Sequence, residues 1–226
     1  MALEVDILAD PDSVAERAAT FVAGQADAAV ADRGRFSFAV SGGHTPWAMF
    51  AHLTEEVAWE HVTIYQVDER IAPDGDPDRN LTHLAASLPP GLVADIRPMP
   101  VDAEDLEAAA MTYARSLPER FDLVHLGLGP DGHTASLVPG DPVLDVNDRD
   151  VALTGAYQGR RRMTLTYPAI NKARLVLWLI TGADKVDALR RLRTGDHVIP
   201  AGRVEAASQL VIADEAAVAG GEATAR

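Results

Sequence analysis

The sequence contains no cysteine, and only two of its 226 residues, Lys172 and Lys185, are lysines. The absence of cysteine excludes disulfide bonds, thiolate catalysis and metal sites built from thiolates. The first ten residues are acidic and lack a basic segment followed by an apolar stretch, so no signal peptide is predicted. We therefore expect a cytoplasmic protein.

Long apolar runs and an excess of basic residues are also missing. The longest purely apolar run, residues 175–180, has six residues, whereas a membrane helix needs about 20. The 34 acidic residues outnumber the 20 basic ones, which gives a formal net charge of −14. Such a chain repels nucleic acids and anionic membranes, so we expect neither as a partner.

What remains is an ordinary globular composition, with 47% hydrophobic and 24% charged residues. No linker-like stretch divides the chain, so we predict one domain over residues 1–226, in which residues 220–226 form a disordered tail. No exposed apolar helix stands out, so we expect a monomer.

Strands and helices are predicted to alternate along the chain. Such alternation predicts an α/β fold: an open, mostly parallel sheet covered by helices on both faces. The first strand is placed at residues 35–40, after an initial helix. The further predicted strands lie at 62–67, 96–101, 121–126, 163–166 and 174–181.

The segment 41–46, Ser-Gly-Gly-His-Thr-Pro, joins a strand to a helix. Ligands of open α/β sheets bind beyond the carboxyl ends of the strands. Converging N–H groups of Gly42 and Gly43, together with the helix N-terminus, suit an anion such as phosphate. The alternative is a tight turn that binds nothing.

Two further strand ends carry charged residues. Asp68-Glu69-Arg70 follows the strand at 62–67 and is either a solvated charge cluster or a site where Arg70 grips an anion and Asp68 contacts hydroxyls or moves a proton. In the glycine-rich segment 127–134, Asp131 lies two residues before His133. A carboxylate that orients a histidine favours general base catalysis, whereas a lone loop histidine would have no such role.

Few other cations are available to hold an anion. Strand alternation sends Arg161 to the face opposite Arg160 and Arg162, so the three cannot share one site. Lys185 lies at a strand–helix junction and is the other candidate. The remaining histidines show no metal-ligand spacing, and we expect neither a metal nor a cofactor; they are His44, His52, His61, His83, His125 and His197.

Six blocks, in order between Ser41 and Lys185, together resemble the 6-phosphogluconolactonase family. They are S-G-G-H-T-P at 41–46, D-E-R at 68–70, Asn80, G-L-G-P-D-G-H-T-A-S-L at 127–137, R-M-T-L-T at 162–166 and G-A-D-K at 182–185. Val138 and Arg79 depart from the family's usual phenylalanine and serine. The resemblance implies a fold like that of glucosamine-6-phosphate deaminase and ribose-5-phosphate isomerase.

The resemblance also implies hydrolysis of 6-phospho-D-glucono-1,5-lactone, a phosphosugar lactone, to 6-phosphogluconate in the oxidative pentose phosphate pathway. His133 would be the general base and Asp131 would hold its ring. The substrate-binding residues would be Ser41, Gly42, Gly43, Thr45, Asp68, Arg70, Asn80, Arg162 and Lys185. The arginine that binds phosphate and the donor that stabilises the oxyanion stay open.

Two alternatives come from the same superfamily. A glucosamine-6-phosphate deaminase typically has D-E-Y at the position of Asp68-Glu69-Arg70, and a glutamate after its histidine motif. Here no carboxylate follows His133 until Asp141. A non-catalytic phosphosugar sensor would need an output domain, and the residues before the predicted first strand are too few and too acidic for one.

Overall fold

The computed structural model describes residues 3–53, 57–89 and 94–219. These residues contain ten strands and seven α-helices. The strands are β1 Glu4–Leu8, β2 Phe36–Val40, β3 Val62–Gln66, β4 Asp68–Arg70, β5 Asp95–Arg97, β6 Leu123–Leu126, β7 Val151–Leu153, β8 Arg162–Leu165, β9 Val176–Ile180 and β10 Gln209–Asp214. The helices are α1 Pro11–Arg33, α2 His44–Ala51, α3 Asn80–Ser87, α4 Leu106–Ser116, α5 Tyr167–Asn171, α6 Val186–Arg193 and α7 Glu215–Val218.

The main sheet has seven strands in the order β1-β10-β9-β6-β2-β3-β5, and every neighbouring pair in it is parallel. The prediction of an open, mostly parallel α/β sheet is confirmed. Because parallel strands end at one edge, the loops after β2, β6 and β9 meet there.

Both faces of this sheet are buried, as a parallel sheet requires. Successive side chains of a strand point to opposite faces. In β9, Trp178 packs into one apolar cluster and Leu177 and Leu179 into the other. Helices α1 to α3 contribute to the Leu177 cluster, and α4 to α7 contribute to the Trp178 cluster. None of the helices in the described residues is both long and apolar enough to span a membrane.

A second, antiparallel sheet in the order β4-β8-β7 packs against the Trp178 face. From the sequence, Asp68-Glu69-Arg70 is expected to form the polar end of the predicted strand at 62–67, which corresponds to β3. In the structure these residues are β4, which pairs with β8 so that Arg70 lies opposite Arg162. The two arginines that were singled out separately thus belong to adjacent strands.

The structure departs from the predicted elements in its first and last strands and in β5. The first strand is β1, not the segment 35–40, and β10 was not predicted. The strand expected at 96–101 is shorter and shifted, because β5 ends at Arg97. The expected tail at 220–226 lies outside the described residues.

Candidate active site

A pocket of about 360 Å³ opens at the carboxyl ends of β2, β6 and β9. Its walls come from the loops after these strands and from the small sheet. Ten of the residues predicted from the sequence line it: Ser41, Gly42, Gly43, Thr45, Asp68, Arg70, Asn80, His133, Arg162 and Lys185. Asp131, the remaining predicted residue, contacts His133 directly. The structure therefore brings the predicted residues together, while their roles remain predictions.

The glycine loop between β2 and α2 approaches Asn80 closely. A Cβ atom on Gly42 would collide with the Asn80 amide, so no larger residue fits there without movement. Gly43 has a φ of 142° and is the N-cap of α2, which has eight residues. Thr45 in the first turn shares a hydroxyl–hydroxyl hydrogen bond of 3.0 Å with Thr181, after β9. The loop is thereby fixed between the two sides of the pocket.

His133 and Asp131 form the most clearly defined pair in the pocket. The His133 Nδ1 lies 2.6 Å from the Asp131 Oδ1, and the His133 backbone N–H donates to the same oxygen at 3.1 Å. A Cβ atom at position 129 would collide with the His133 imidazole, which explains why this position, four residues before His133, is a glycine. Since Nδ1 donates to the carboxylate, Nε2 is the nitrogen that can accept a proton.

The environment of Asp131 keeps this carboxyl ionised. Partial burial acts to raise its pKa, but the hydrogen bonds from His133, and one of 3.2 Å from the Tyr157 hydroxyl, outweigh burial and lower it. A charged carboxylate beside Nδ1 holds the imidazole in one tautomer. This arrangement can remove a proton from a water molecule held at Nε2.

Asn80 links Arg70 to Asp68 through hydrogen bonds at the pocket. The Arg70 guanidinium donates to the Asn80 Oδ1 at 2.6 Å and to the Asp78 carbonyl at 2.8 Å. The Asn80 amide donates in turn to the Asp68 carbonyl at 2.9 Å. The buried Asp68 carboxylate accepts a hydrogen bond of 2.6 Å from Ser136.

Glu69, the middle residue of β4, is completely buried and serves the fold. Its carboxylate accepts hydrogen bonds of 2.7 and 2.8 Å from the backbone N–H groups of Asn80 and Leu81, the first residues of α3. It also accepts from the Arg70 backbone N–H and from the Gln66 amide, both at 2.8 Å. Glu69 thus caps α3 and fixes β4 at the site.

The three consecutive arginines, 160–162, follow the alternation expected along a strand only in part. Arg162 is buried and lines the pocket, where its guanidinium stacks over the Tyr157 ring at 5.1 Å. Burial lowers the pKa of Arg162, against the attraction of Asp68. Arg160, although expected on the same face, turns instead to the carboxylates of the loop before α3. Arg161 is exposed and donates to the Thr154 carbonyl.

Three cationic side chains therefore line one pocket of a strongly acidic protein. Lys185 lies 2.9 Å from Asp184 and is largely sheltered from solvent. The Nε atoms of Arg70 and Arg162 are buried and find no hydrogen-bond partner among the described residues. Buried N–H donors normally have acceptors. An anionic ligand would supply them.

His125 is a pocket residue that the sequence analysis did not select. It lies in β6, is fully buried, and accepts a hydrogen bond of 3.3 Å from the Ser41 backbone N–H at its Nδ1. Burial lowers its pKa to about 3, so the ring is neutral at physiological pH. Alternation within β6 was the available signal, since it places His125 on the same face as Leu123, under the glycine loop.

The described residues hold no group of three or more His, Asp or Glu side chains that could bind a metal ion. Glycine amides, three cations and a histidine–aspartate pair lie together at the carboxyl ends of parallel strands. This arrangement is that of an α/β protein with a pocket suited to a small anionic ligand and to acid–base chemistry.

Comparisons with known proteins agree with this class. The family described as glucosamine-6-phosphate isomerases/6-phosphogluconolactonase matches residues 9–212. A 6-phosphogluconolactonase of Synechocystis is 39% identical over 206 residues, which are 84% of this chain and 84% of the relative. The chain belongs to this glucosamine-6-phosphate isomerase/6-phosphogluconolactonase family.

Solved structures give the same result for the fold. A 6-phosphogluconolactonase of Shewanella baltica superposes with a TM-score of 0.85 and 27% identity, covering 94% of this chain and 97% of the other. A monomeric glucosamine-6-phosphate deaminase superposes with a TM-score of 0.83 but only 20% identity, covering 96% of this chain and 99% of the other. The fold is therefore the one expected from the resemblance.

Proposed function

We propose that this chain hydrolyses 6-phospho-D-glucono-1,5-lactone to 6-phosphogluconate, the second step of the oxidative pentose phosphate pathway. The observation that carries the proposal is the combination, in one pocket, of a histidine–aspartate pair with two buried arginine Nε donors that lack partners among the described residues. The pair suits attack by water, and the arginines suit a phosphate. Membership of the family supports the same reaction.

The phosphate is held by the glycine loop, Arg162 and Lys185, with Arg70 beside them. A guanidinium and an ammonium give strong, charge-assisted hydrogen bonds to phosphate oxygens. Because the phosphate is remote from the reacting carbonyl, its binding energy positions the lactone ring against His133. The local cations also overcome the repulsion expected from the net charge of −14.

His133 then acts as the general base. Its Nε2 takes a proton from water, and the water oxygen forms a bond to C1 of the lactone. The tetrahedral intermediate collapses as the bond between C1 and the ring oxygen breaks, and the imidazolium returns the proton to that oxygen. The new carboxylic acid ionises at neutral pH, so a proton is released per lactone opened.

The test is the rate of proton release from lactone generated in situ, after subtraction of uncatalysed hydrolysis. Wild type, His133→Ala and His61→Ala are compared, because the exposed His61 lies at the opposite end of the strands from the pocket. We expect His133→Ala to lose roughly 10²–10⁴-fold in turnover and His61→Ala to match wild type.

Each failure has a distinct meaning. No acceleration by wild type refutes the function, and glucosamine 6-phosphate is then tested for deamination. Equal rates for wild type and His133→Ala would keep the function but exclude His133 as the base. The cytoplasmic location, the single domain, the monomeric state and the absence of nucleic-acid and membrane partners stay predictions.

A further inference from the structure

Tyr157 occupies the tip of a hairpin between β7 and β8 and was not selected by any sequence motif. The backbones of Tyr157 and Arg160 exchange hydrogen bonds of 2.9 and 3.2 Å across the turn. Between them, Gln158 and Gly159 have φ values of 51° and 81°. Positive φ at both central positions is the type I′ turn that matches the twist of a tight hairpin. The hairpin tip is therefore well defined.

The Tyr157 side chain contacts both the histidine–aspartate pair and Arg162. Its hydroxyl donates to the Asp131 Oδ2 at 3.2 Å, the oxygen that His133 does not use. Its ring meets the His133 ring edge-on, with 5.4 Å between centroids. The Arg162 guanidinium stacks over the same ring at 5.1 Å.

Neighbouring residues of the hairpin reinforce these contacts. The Gln158 Oε1 accepts a hydrogen bond of 3.3 Å from the Arg162 Nη2. Arg160 donates to the Asp78 carboxylate at 2.8 Å and to Asp76 at 3.3 Å. The hairpin is thus attached to the catalytic pair, to one pocket arginine and to the loop before α3.

We infer that Tyr157 is a positioning residue that holds Asp131 through its hydroxyl and Arg162 through its ring. The hydroxyl fixes the carboxylate that orients His133, so it acts on the chemical step. The ring, together with Gln158, holds the guanidinium that would bind phosphate, so it acts on substrate affinity. This inference rests on the proposed function of the pocket, and it assigns the two contacts of one side chain to two different kinetic constants.

Three variants separate these contacts. Tyr157→Phe keeps the ring and removes the hydroxyl. Tyr157→Leu removes both. Gln158→Asn shortens the side chain that reaches Arg162, and asparagine tolerates the positive φ at this position. Tyr65→Phe is the matched control, because the Tyr65 hydroxyl bonds the Ser116 carbonyl and Tyr65 does not line the pocket.

For Tyr157→Phe we expect kcat to fall roughly threefold to tenfold with KM unchanged, since one hydrogen bond to a carboxylate is lost. For Gln158→Asn we expect KM to rise roughly twofold to fivefold with kcat unchanged. Tyr157→Leu should show the kcat loss and a rise in KM of roughly threefold to tenfold. If Tyr157 and Gln158 had a purely structural role, kcat and KM would change in the same way in all their variants, and the melting temperatures would fall as well.

Binding of 6-phosphogluconate, measured by titration calorimetry, completes the test without catalysis. It should weaken in Tyr157→Leu and Gln158→Asn and stay at the wild-type value in Tyr157→Phe and Tyr65→Phe. If wild type is active but Tyr157→Phe keeps its kcat, or if binding is equal in all four variants, the inference is wrong and the proposed function stands. If wild type does not hydrolyse the lactone, the function fails, and the binding series alone decides whether Tyr157 holds Arg162.

Discussion

Acid should destabilise this protein through His125. The side chain is fully buried and its pKa is lowered to about 3 by that burial, from an ordinary value of 6.5. As the pH falls below 6.5, the unfolded chain binds a proton at this position and the folded chain does not. Stability that is present above 6.5 is therefore lost progressively until the pH reaches the folded pKa.

The size of the effect follows from the two pKa values. Each pH unit between them lowers the free energy of unfolding by about 1.4 kcal/mol. From about pH 7 to about pH 4.5, the linkage relation gives a loss of about 2.5 kcal/mol from this histidine alone. That is a substantial part of the total stability of a typical domain.

The assay is urea unfolding at these two pH values, followed by the fluorescence of tryptophans such as the buried Trp178. His125→Gln removes the titration and keeps an amide oxygen able to accept from the Ser41 N–H. His61→Gln, at an exposed histidine, is the control. Carboxylates titrate in all three proteins, so the difference between them isolates His125. Equal acid losses in wild type and His125→Gln would refute the reasoning.

Two further substitutions test the framework of the site. Gly42→Ala places a methyl group against the Asn80 amide and should lower kcat/KM at least roughly tenfold. The control Gly24→Ala, whose methyl group meets no atom within 4 Å, should leave kcat/KM unchanged. A fully active Gly42→Ala enzyme would show that the close approach of Gly42 to Asn80 is not required. Glu69→Gln replaces the carboxylate that accepts from the backbone N–H groups at the start of α3 with an amide. It should lower the free energy of unfolding in urea by roughly 2–4 kcal/mol. An unchanged unfolding midpoint would contradict the capping role of Glu69.

The central strands of the main sheet and the glycine-rich segments at its carboxyl edge could be predicted from the sequence, because both depend on local patterns. The glycine-rich segments after β2 and β6 are contiguous, so Gly42 and His133 could be found without knowing the fold. The rule that ligands bind at the carboxyl ends of parallel strands then brought them together. The prediction that Asp131 holds His133 needed only their spacing of two residues.

What the sequence could not show depends on long-range pairing. The small sheet consists of strands of three and four residues. Of these, β8 corresponds to the predicted strand at 163–166, whereas β4 and β7 are too short for a periodic signal. Its pairing places Arg70 opposite Arg162, which lie 92 positions apart in the numbering of the chain. Tyr157 contacts Asp131 only because of that sheet, and no local pattern marks it. Strand β1 is partly exposed, with charged residues at Glu4 and Asp6, and so resembles a polar segment.

The pairing of β1 with β10 has a consequence for how the chain folds. Residues 4–8 lie beside residues 210–214, so this contact joins segments separated by nearly the whole length of the chain. During synthesis, β1 is made before β10 and has no partner in the main sheet until residues 210–214 have been made. Contacts of such high sequence separation slow folding. We therefore expect the β1 edge of the sheet to form last. A nascent chain that stops before β10 would leave its most apolar strand, β9, at an open edge of the sheet. Such an edge can pair with other chains.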